Sequence, residues 1–422
     1  MQIRFVNHAS VIFSHKNINL ITDPWLFGTA FNNGWELVSK STMQIEDFKF
    51  ITHIWFSHEH PDHFNIPVIK SVPEEIRKKI TVLFQDTLDH RIINKCREFG
   101  FNVIEMVPSK FYTLTEGFKV KCNPSPFYDS WLYADIDNTK VLNLNDCVID
   151  NYKKLKHIHK IIGNIDLLLT QFGYANKIGN PEDKKLRKDA GKKILQRIKT
   201  QSDVLNPKFI IPFASFIKFS HVDNAYMNGE INQIEDVERF IKDQTNSEPI
   251  ILYPGDEWKI NEKHDNAKAL KLYKDDFAKE KSLITKSQIV PLDDLMKVCT
   301  AYRQSLKQRN NWFLITILHY LLYFKTAKIY LKDLEIPITF DLIHGIKKSN
   351  FTVENADIIT DSDSIDFVFR WDYGSDTLHV NARFRTSGGN VKNFFRMFLV
   401  GALNNNGRTL TYLISRKFNR KV

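Results

Sequence analysis

The sequence predicts an α/β fold in which helices cover the outer faces of two β-sheets, followed by a C-terminal α+β domain. Short β-prone runs alternate with helical segments through the first part of the chain, and a charged, lysine-rich stretch then separates this part from the remainder. At 422 residues the chain is also too long for one small core. We therefore expect a first domain at 1–262, a charged linker at 263–289 and an accessory domain at 290–422.

The elements of the first domain follow from apolar runs that are bounded by turn residues. The predicted strands lie at 2–6, 11–14, 18–21, 50–56, 80–84, 102–105, 118–121, 130–134, 140–146, 167–172, 207–213 and 249–256. The predicted helices lie at 67–79, 86–99 and 182–200. The last of these helices is rich in lysine, and a solvated face explains this composition better than a nucleic-acid surface.

The accessory domain has a less regular pattern. We expect helices within 291–325, strands at 365–371 and 377–385, a phenylalanine-rich helix at 390–403 and a final helix after the break at 404–407. The apolar run 312–324 is too short to span a bilayer, and we expect a buried helix there. No catalytic spacing is visible in this domain.

Composition restricts the class of protein. Hydrophobic residues make up 43% of the chain, which suits a globular core, and no transmembrane segment or signal-peptide core is predicted. The four cysteines lack metal-binding or disulfide spacing, so we expect a reducing, cytoplasmic location. The net charge of +10 favours anionic partners such as phosphorylated substrates, nucleic acid or lipid headgroups without identifying one of them, and a solvated surface explains most of the scattered lysines.

The strongest chemical signal is the histidine motif, residues 57–63 with the sequence Ser-His-Glu-His-Pro-Asp-His, which directly follows a β-prone run. Its potential metal ligands are His58, His60, Asp62 and His63. The first two side chains point the same way in an extended chain, and the last two follow a turn that the proline favours. Imidazoles with a carboxylate suit zinc, iron or manganese, and two metals can share a bridging water. The alternative is a histidine-rich surface loop without metal.

The arrangement His-x-His-x-Asp-His resembles the signature of the metallo-β-lactamase superfamily, which implies an αββα sandwich with a dinuclear metal site. The resemblance implies that His58 and His60 bind the first metal and that Asp62 and His63 bind the second. It further implies that Asp146, after the strand 140–146, bridges both metals. Asp62 and Asp146 are therefore the expected catalytic residues, because Asp62 also lies where it can orient the attacking water.

Three further strand-end residues have open interpretations. His221 follows a strand where this fold requires its last histidine, and the alternative is a structural histidine. No histidine lies between His90 and Asp146, so we infer that Asp129 replaces the missing histidine ligand, which shifts the preference from zinc toward iron or manganese. The alternative for Asp129 is a strand-edge carboxylate that faces water. Asp23 either supports a ligand histidine by a hydrogen bond or forms an ordinary Asp-Pro turn.

A closer resemblance, to the CMP-N-acetylneuraminate hydroxylase family, covers most of residues 7–256. The stretches that carry it are 22–26 (Thr-Asp-Pro-Trp-Leu), 30–35 (Ala-Phe-Asn-Asn-Gly-Trp), 142–147 (Leu-Asn-Leu-Asn-Asp-Cys), 212–216 (Pro-Phe-Ala-Ser-Phe) and 219–221 (Phe-Ser-His). The resemblance implies iron and a nucleotide-linked sugar as substrate. The Cys-x-His half motifs of that family's Rieske iron–sulfur domain are absent from this sequence.

Three functions are consistent with these residues. The first is a hydrolase with two divalent metal ions, iron or zinc, whose bound hydroxide attacks a small anionic substrate such as a nucleotide sugar. The second is a non-heme diiron oxygenase that receives electrons from an external donor. The third is a binding module with structural metals, although structural sites are usually closed, mononuclear and rich in cysteine.

Overall fold

The computed structural model describes residues 1–279, 283–284 and 287–411. Within these ranges two seven-stranded sheets face each other across the main hydrophobic core, and a five-stranded sheet lies in the C-terminal part. Further clusters of buried apolar residues lie between the first sheet and its helices and around the loops near the histidine motif. The predicted sandwich with a C-terminal α+β part is confirmed.

The first sheet places the histidine motif at the end of a parallel strand. Its strands, in spatial order, are Glu257–Lys259, Gln2–Asn7, Ser10–His15, Ile18–Thr22, His53–Trp55, Thr81–Gln85 and Asn102–Met106. The last four strands run parallel to one another, and the first four pair antiparallel. Parallel neighbours end at the same edge, so the loops after Thr22 and Trp55 lie side by side.

The second sheet supplies the opposite wall of the sandwich. Its strands, in spatial order, are Glu248–Pro249, Phe209–Phe213, Leu167–Gln171, Thr139–Asn145, Ser130–Ile136, Phe118–Pro124 and Tyr112–Thr115. The predicted strand 249–256 is wrong beyond its first residue. The chain leaves the second sheet after Pro249 and pairs with the first sheet at Glu257–Lys259, with Pro254 and the left-handed Gly255 in the turn between them.

The helices cover the outer faces of these sheets. In the first part of the chain they span Ile66–Ser71, Glu74–Arg77, Arg91–Glu98, Tyr152–Ile162, Lys184–Leu205, Ile234–Gln244 and Ala267–Ala278, with 3-10 turns at Ile45–Phe50, Pro126–Tyr128 and Ala225–Glu230. The single helix predicted at 67–79 is two short helices, because Pro73 has no backbone N–H to continue the first one. A small sheet of Thr29–Ala30, Trp35–Leu37 and Ile217–Phe219 lies beside the site.

The segment predicted as a charged linker contains part of the first domain's core. Helix Ala267–Ala278 buries Ala269 and Tyr273, and the Tyr273 ring stacks on Phe216 with centroids 4.2 Å apart. Its lysines lie on the outward face, so the helix is amphipathic. The high lysine content of the segment therefore does not indicate a linker.

The C-terminal part is built on a sheet of Gly345–Lys348, Ile336–Asp341, Ala327–Leu331, Ile358–Thr360 and Phe384–Arg385. Its helices span Leu292–Arg309, Trp312–Tyr320, Ser362–Arg370, Gly374–Asn381, Val391–Met397 and Leu399–Asn405, with a 3-10 turn at Val353–Asn355. The strands predicted at 365–371 and 377–385 are wrong except for the last two residues. Ile365, Val368 and Phe369 are spaced three and four residues apart on one buried helix face, which outweighs their β-propensity.

The apolar segment 312–324 differs from the buried helix predicted for it. Helix Trp312–Tyr320 buries Ile315, but Phe313 is 74% exposed and Leu321, just after the helix, is 71% exposed. No helix within the described residues is long and apolar enough to cross a membrane. The final helix predicted after 404–407 falls mainly on residues 412–422, outside the described residues.

The end of helix Gly374–Asn381 in the C-terminal part packs against the loop 31–34 of the first part. Asn381 donates from Nδ2 to the carbonyl of Phe31 at 3.1 Å, and Asn224 donates to the carbonyls of both Gly34 and Asn381. A Cβ atom on Gly34 would lie 2.4 Å from the Asn381 Cβ. Only glycine therefore permits this approach of the two backbones.

We predict that Gly34→Ala destabilises the protein by about 1–3 kcal/mol, since an added methyl group overpacks a filled contact. The measurement is the urea unfolding midpoint. Gly229→Ala is the matched control, because nothing lies within 4 Å of a Cβ at that position. Equal midpoints for the two variants would contradict the proposed contact between the two parts of the chain.

Candidate metal centre

The potential ligands meet at one edge of the sandwich, where strands from both sheets end. The histidine motif leaves the strand His53–Trp55 of the first sheet. Asp146 follows the strand Thr139–Asn145 of the second sheet, and Asp129 precedes the adjacent antiparallel strand Ser130–Ile136. His8 lies in the tight turn between the first two strands. Side chains from distant parts of the chain therefore converge because of the strand arrangement.

The histidine motif is held in a compact turn by the helix that follows it. The backbone N–H groups of His63 and Phe64 both donate to the carbonyl of His60, at 3.0 and 2.7 Å. Asn65 donates from its side chain to the carbonyl of Pro61 at 2.8 Å and accepts from the backbone N–H of Val68 as the N-cap of the helix. The ligand loop is thereby fixed to a regular element.

One group of ligands surrounds His58. Its Nε2 lies 2.8 Å from Nδ1 of His60 and 3.7 Å from Oδ1 of Asp129. Asp129 is 6% exposed and faces these histidines rather than bulk water. The structure therefore places the Asp129 carboxylate beside His58.

A second group surrounds His63. Its Nε2 lies 3.1 Å from Oδ2 of Asp62 and 3.2 Å from Oδ2 of Asp146, and His8 Nε2 lies 3.3 Å from the same Asp62 oxygen. Two sets of side chains, His58/His63/Asp146 and His8/Asp62/His63, each place their potential ligand atoms within 4.8 Å of one another. The two sets overlap at His63, so together they form one continuous cluster of potential ligands.

Asp23 supports the second group of ligands through buried hydrogen bonds. Its carboxylate accepts hydrogen bonds from the Ser57 backbone N–H and hydroxyl, both at 2.8 Å, and from Asn145 Nδ2 at 2.6 Å. Oδ2 of Asp23 also lies 3.0 Å from Nδ1 of His63, and both side chains are fully buried. An Nδ1–H donated to Asp23 leaves Nε2 of His63 free as a ligand, which is the usual support of a metal-binding histidine.

Four non-glycine residues around the centre have left-handed backbone conformations: His8, Asp23, Asn145 and Ala214, with φ between 36° and 52°. Such conformations cost on the order of 1–3 kcal/mol each and persist only where surrounding contacts impose them. Here the contacts include the hydrogen bond from Ala214 N–H to the His8 carbonyl at 2.8 Å and the bonds of Asp23 and Asn145 described above. The strained residues therefore lie in the turns that position the side chains of the ligand cluster.

The residues present fit a metal pair. Nδ1 of His8, Oδ1 of Asp62 and Oδ1 of Asp146 are buried and have no hydrogen-bond partner. Buried acceptors without partners are costly, and a bound cation would satisfy the carboxylate oxygens directly. Imidazole nitrogens and carboxylate oxygens together are ligands that zinc, iron and manganese accept.

Burial and neighbouring charges shift the pKa values of the ligands. Burial, with help from the charge of Asp146, raises the pKa of Asp129 to about 8. Burial and the neighbouring His63 and His60 hold the pKa of His58 well below its usual value. Burial alone would lower the pKa of His63, but Asp62, Asp146 and Asp23 raise it well above the usual value. A nearby cation favours the ionised carboxylate and the neutral imidazole.

His221 is not brought into these groups. Within the described part of the chain its Nδ1 lies 3.3 Å from Oδ2 of Asp223, and its Nε2 lies 3.5 Å from the hydroxyl of Ser287. Asp223 in turn pairs with Lys332 of the C-terminal part. His8, which the sequence analysis missed, is the histidine that stands beside Asp62.

A cavity of about 350 Å³ opens over the ligand cluster. Its floor contains His60, Asp62, Asp129 and Asp146. Its walls come from the loop 31–35, the loop 174–178, helix Lys184–Leu205 and helix Gly374–Asn381 of the C-terminal part, which contributes His379. Burial and the nearby Lys177 lower the pKa of His379.

Other site residues that sequence reasoning missed are Lys193, Arg197 and His379. Lys193 and Arg197 are four residues apart in a predicted helix, which places them on the same helix face. This spacing was a signal from which the basic pair could have been predicted. His379 had no comparable signal, since its position depends on how the C-terminal part packs.

Comparison with known proteins agrees with the fold and the site. Residues 2–171 match the family model described as the beta-lactamase superfamily domain. The resemblance predicted from the histidine motif is confirmed for this part of the chain. Fold and ligand cluster together define a metal-dependent enzyme of the metallo-β-lactamase fold.

The curated relatives include hydroxylases of a nucleotide sugar. The chain is 24% identical over 250 residues to the cytidine monophosphate-N-acetylneuraminic acid hydroxylase of Xenopus laevis. The aligned region covers 54% of this chain and 40% of that protein. An inactive human counterpart is 22% identical over 302 residues, covering 60% of this chain and 58% of its own length. The chain thus spans about half the length of these relatives.

Among solved structures, CmlA, a diiron β-hydroxylase from Streptomyces venezuelae, matches with a TM-score of 0.43 and 14% identity, covering 61% of this chain and 54% of CmlA.

We predict that Asp23→Asn lowers metal affinity about 10–100-fold, because the amide cannot fix the protonation of His63 as the carboxylate does. The measurement is metal retained after dialysis against graded chelator concentrations. Asp243→Asn, an exposed position on helix Ile234–Gln244, is the control and is expected to match the wild type. Wild-type retention by Asp23→Asn would show that Asp23 is only a turn residue.

Proposed function

We propose that the chain is a dinuclear metal-dependent hydrolase that acts on a small anionic substrate. The observation that carries this proposal is the cluster of buried histidines and carboxylates, of which His60, Asp62, Asp129 and Asp146 line an open cavity. Hydrolysis consumes only water, so this centre and a bound substrate complete the reaction. A hydroxylation would need dioxygen and two electrons in addition.

The proposed first position is held by His58, His60 and Asp129, and the second by His8, Asp62 and His63, with Asp146 between them. Two metal ions there would lower the pKa of a shared water toward neutrality and polarise the bond under attack. Asp23 keeps the His63 proton on Nδ1, away from the centre. The cavity orients the substrate, and its apolar walls limit access of bulk water.

A second candidate function is a diiron oxygenase. Asp129 beside His58 supports it, because an added carboxylate makes the ligand set harder and favours iron over zinc. The names of the curated relatives also support it, with a cytidine monophosphate-linked sugar acid as the corresponding substrate and an external protein as electron donor. The two candidates share the same ligands and differ in the source of the oxygen atom that enters the product.

We predict that turnover proceeds without dioxygen and that the oxygen entering the product comes from water. The experiment screens phosphodiesters, esters and N-acyl nucleotide sugars with the metal-loaded protein in ¹⁸O-labelled water under anaerobic conditions, with mass spectrometry of the products. One ¹⁸O atom is expected per bond cleaved, in the acid or phosphate product, whereas the alcohol or amine that leaves carries none.

The matched controls are His58→Ala, which is expected to lose activity, and His157→Ala at an exposed position on helix Tyr152–Ile162, which is expected to retain it. Product formation that requires dioxygen and a reductant, with label from ¹⁸O₂, would refute hydrolysis and establish the oxygenase.

A further inference from the structure

The cavity over the metal centre has a basic side formed by helix Lys184–Leu205. Arg197 and Lys193 lie one turn apart on this helix and both line the cavity, opposite a floor that contains Asp129 and Asp146. The other exposed lysines of the helix, such as Lys192, do not line it. The solvated face predicted for this helix therefore excludes the buried Arg197, whereas Lys193 is exposed and also lines the cavity.

Arg197 is a buried cation without a carboxylate partner. It is 8% exposed, and its Nη2 donates to Oε1 of Gln171 at 2.9 Å, while its Nε–H has no acceptor. In the described part of the chain no Asp or Glu oxygen lies within ion-pair distance of it. The charges of Asp146 and Asp150 act on Arg197 without a direct ion pair, and its unused Nε–H is costly to bury, so a bound anion would stabilise this guanidinium.

The remaining walls of the cavity are mainly apolar and aromatic. Phe31 and Trp35 lie on one side and Tyr174 and Ile178 on another. Trp35 is buried, and its Nε1–H has no acceptor. A cavity of about 350 Å³ admits a small molecule rather than a polymer chain.

We propose that Arg197 and Lys193 bind a carboxylate or phosphate group of the substrate while an apolar or ring-containing portion packs against Phe31 and Trp35. This inference rests on the proposed function, since it places the reacting bond at the metal-ligand cluster. A guanidinium pairs with either anion through two parallel N–H···O bonds, and the nearby ammonium adds a point charge. The substrate class is thus an anionic small molecule with an apolar body.

The alternative role for Arg197 is to hold Gln171 in place. That role needs one of its five N–H donors and does not explain why Lys193 stands beside it at the cavity. If Arg197 binds substrate anions, its substitution weakens anion binding. If it only holds Gln171, anion binding does not depend on Lys193.

The test measures binding of phenyl phosphate, phenylacetate and the neutral benzyl alcohol by calorimetry. The full chain is used both as purified and after its metals have been removed by chelation, so that anion binding to metal is separated from binding to the basic pair. Wild-type protein is expected to bind at least one anion more tightly than the alcohol in both states. Which anion binds identifies the group that the pair accepts.

Lys193→Met and Arg197→Gln are each expected to weaken this binding by about tenfold to a hundredfold, the loss expected for a hydrogen bond to a charged group. Lys192→Met, one residue away and outside the cavity, is expected to bind as the wild type does. If Arg197→Gln does not fold, Lys193→Met decides the result, because the lysine side chain is exposed.

Unchanged anion binding in Lys193→Met and any folded Arg197→Gln would overturn the proposal. Anion binding that disappears entirely with the metals would also overturn it, because the anion would then bind the metal ions alone. Absence of metals from the purified protein would instead contradict the proposed function and leave this binding measurement valid.

Discussion

The buried hydrogen bond between Asp23 and His63 is the contact on which the rest of the site depends. Asp23 ends a strand of the first sheet, His63 belongs to the histidine motif, and Asn145, which also donates to Asp23, ends a strand of the second sheet. One carboxylate therefore joins both sheets at the edge where the ligands meet. Its removal would leave several buried donors without an acceptor, each at a cost of about 1–3 kcal/mol.

The site concentrates negative charge that the protein alone does not neutralise. Asp62, Asp129 and Asp146 converge within a buried region, and burial, followed by the charge of Asp146, raises the pKa of Asp129. Bound cations would stabilise the ionised carboxylates, and the protein cations Lys193 and Arg197 line the same cavity. Negative ligand atoms and positive side chains thus lie around one cavity.

The C-terminal part contributes to the same cavity. Helix Gly374–Asn381 supplies His379 to the wall, and Asn381 binds the carbonyl of Phe31 in the facing loop. Buried Arg383 reaches the carbonyl of Asn32 as well as Asp363. These contacts fix the loop that carries Phe31 and Trp35, so the shape of the cavity depends on both parts of the chain.

Much of the site could be predicted because strand ends and ligand spacing are local features of sequence. The strand before the histidine motif and the strand before Asp146 were both recognised from apolar runs, and Asp129 was inferred from the absence of a histidine. His8 was missed because a lone histidine in a hairpin turn has no distinguishing pattern. The helices at 362–381 were missed because β-branched and aromatic residues suggested strands, and the lysine-rich composition at 267–278 concealed a core helix.

The most direct test of the account is the number of metal ions bound per chain, measured by inductively coupled plasma mass spectrometry on protein purified without added metal. The account predicts two ions per chain, of iron, zinc or manganese, with substantial loss in His58→Ala and Asp146→Ala. Absence of bound metal, even after reconstitution, would contradict the account, as would unchanged metal content in both variants.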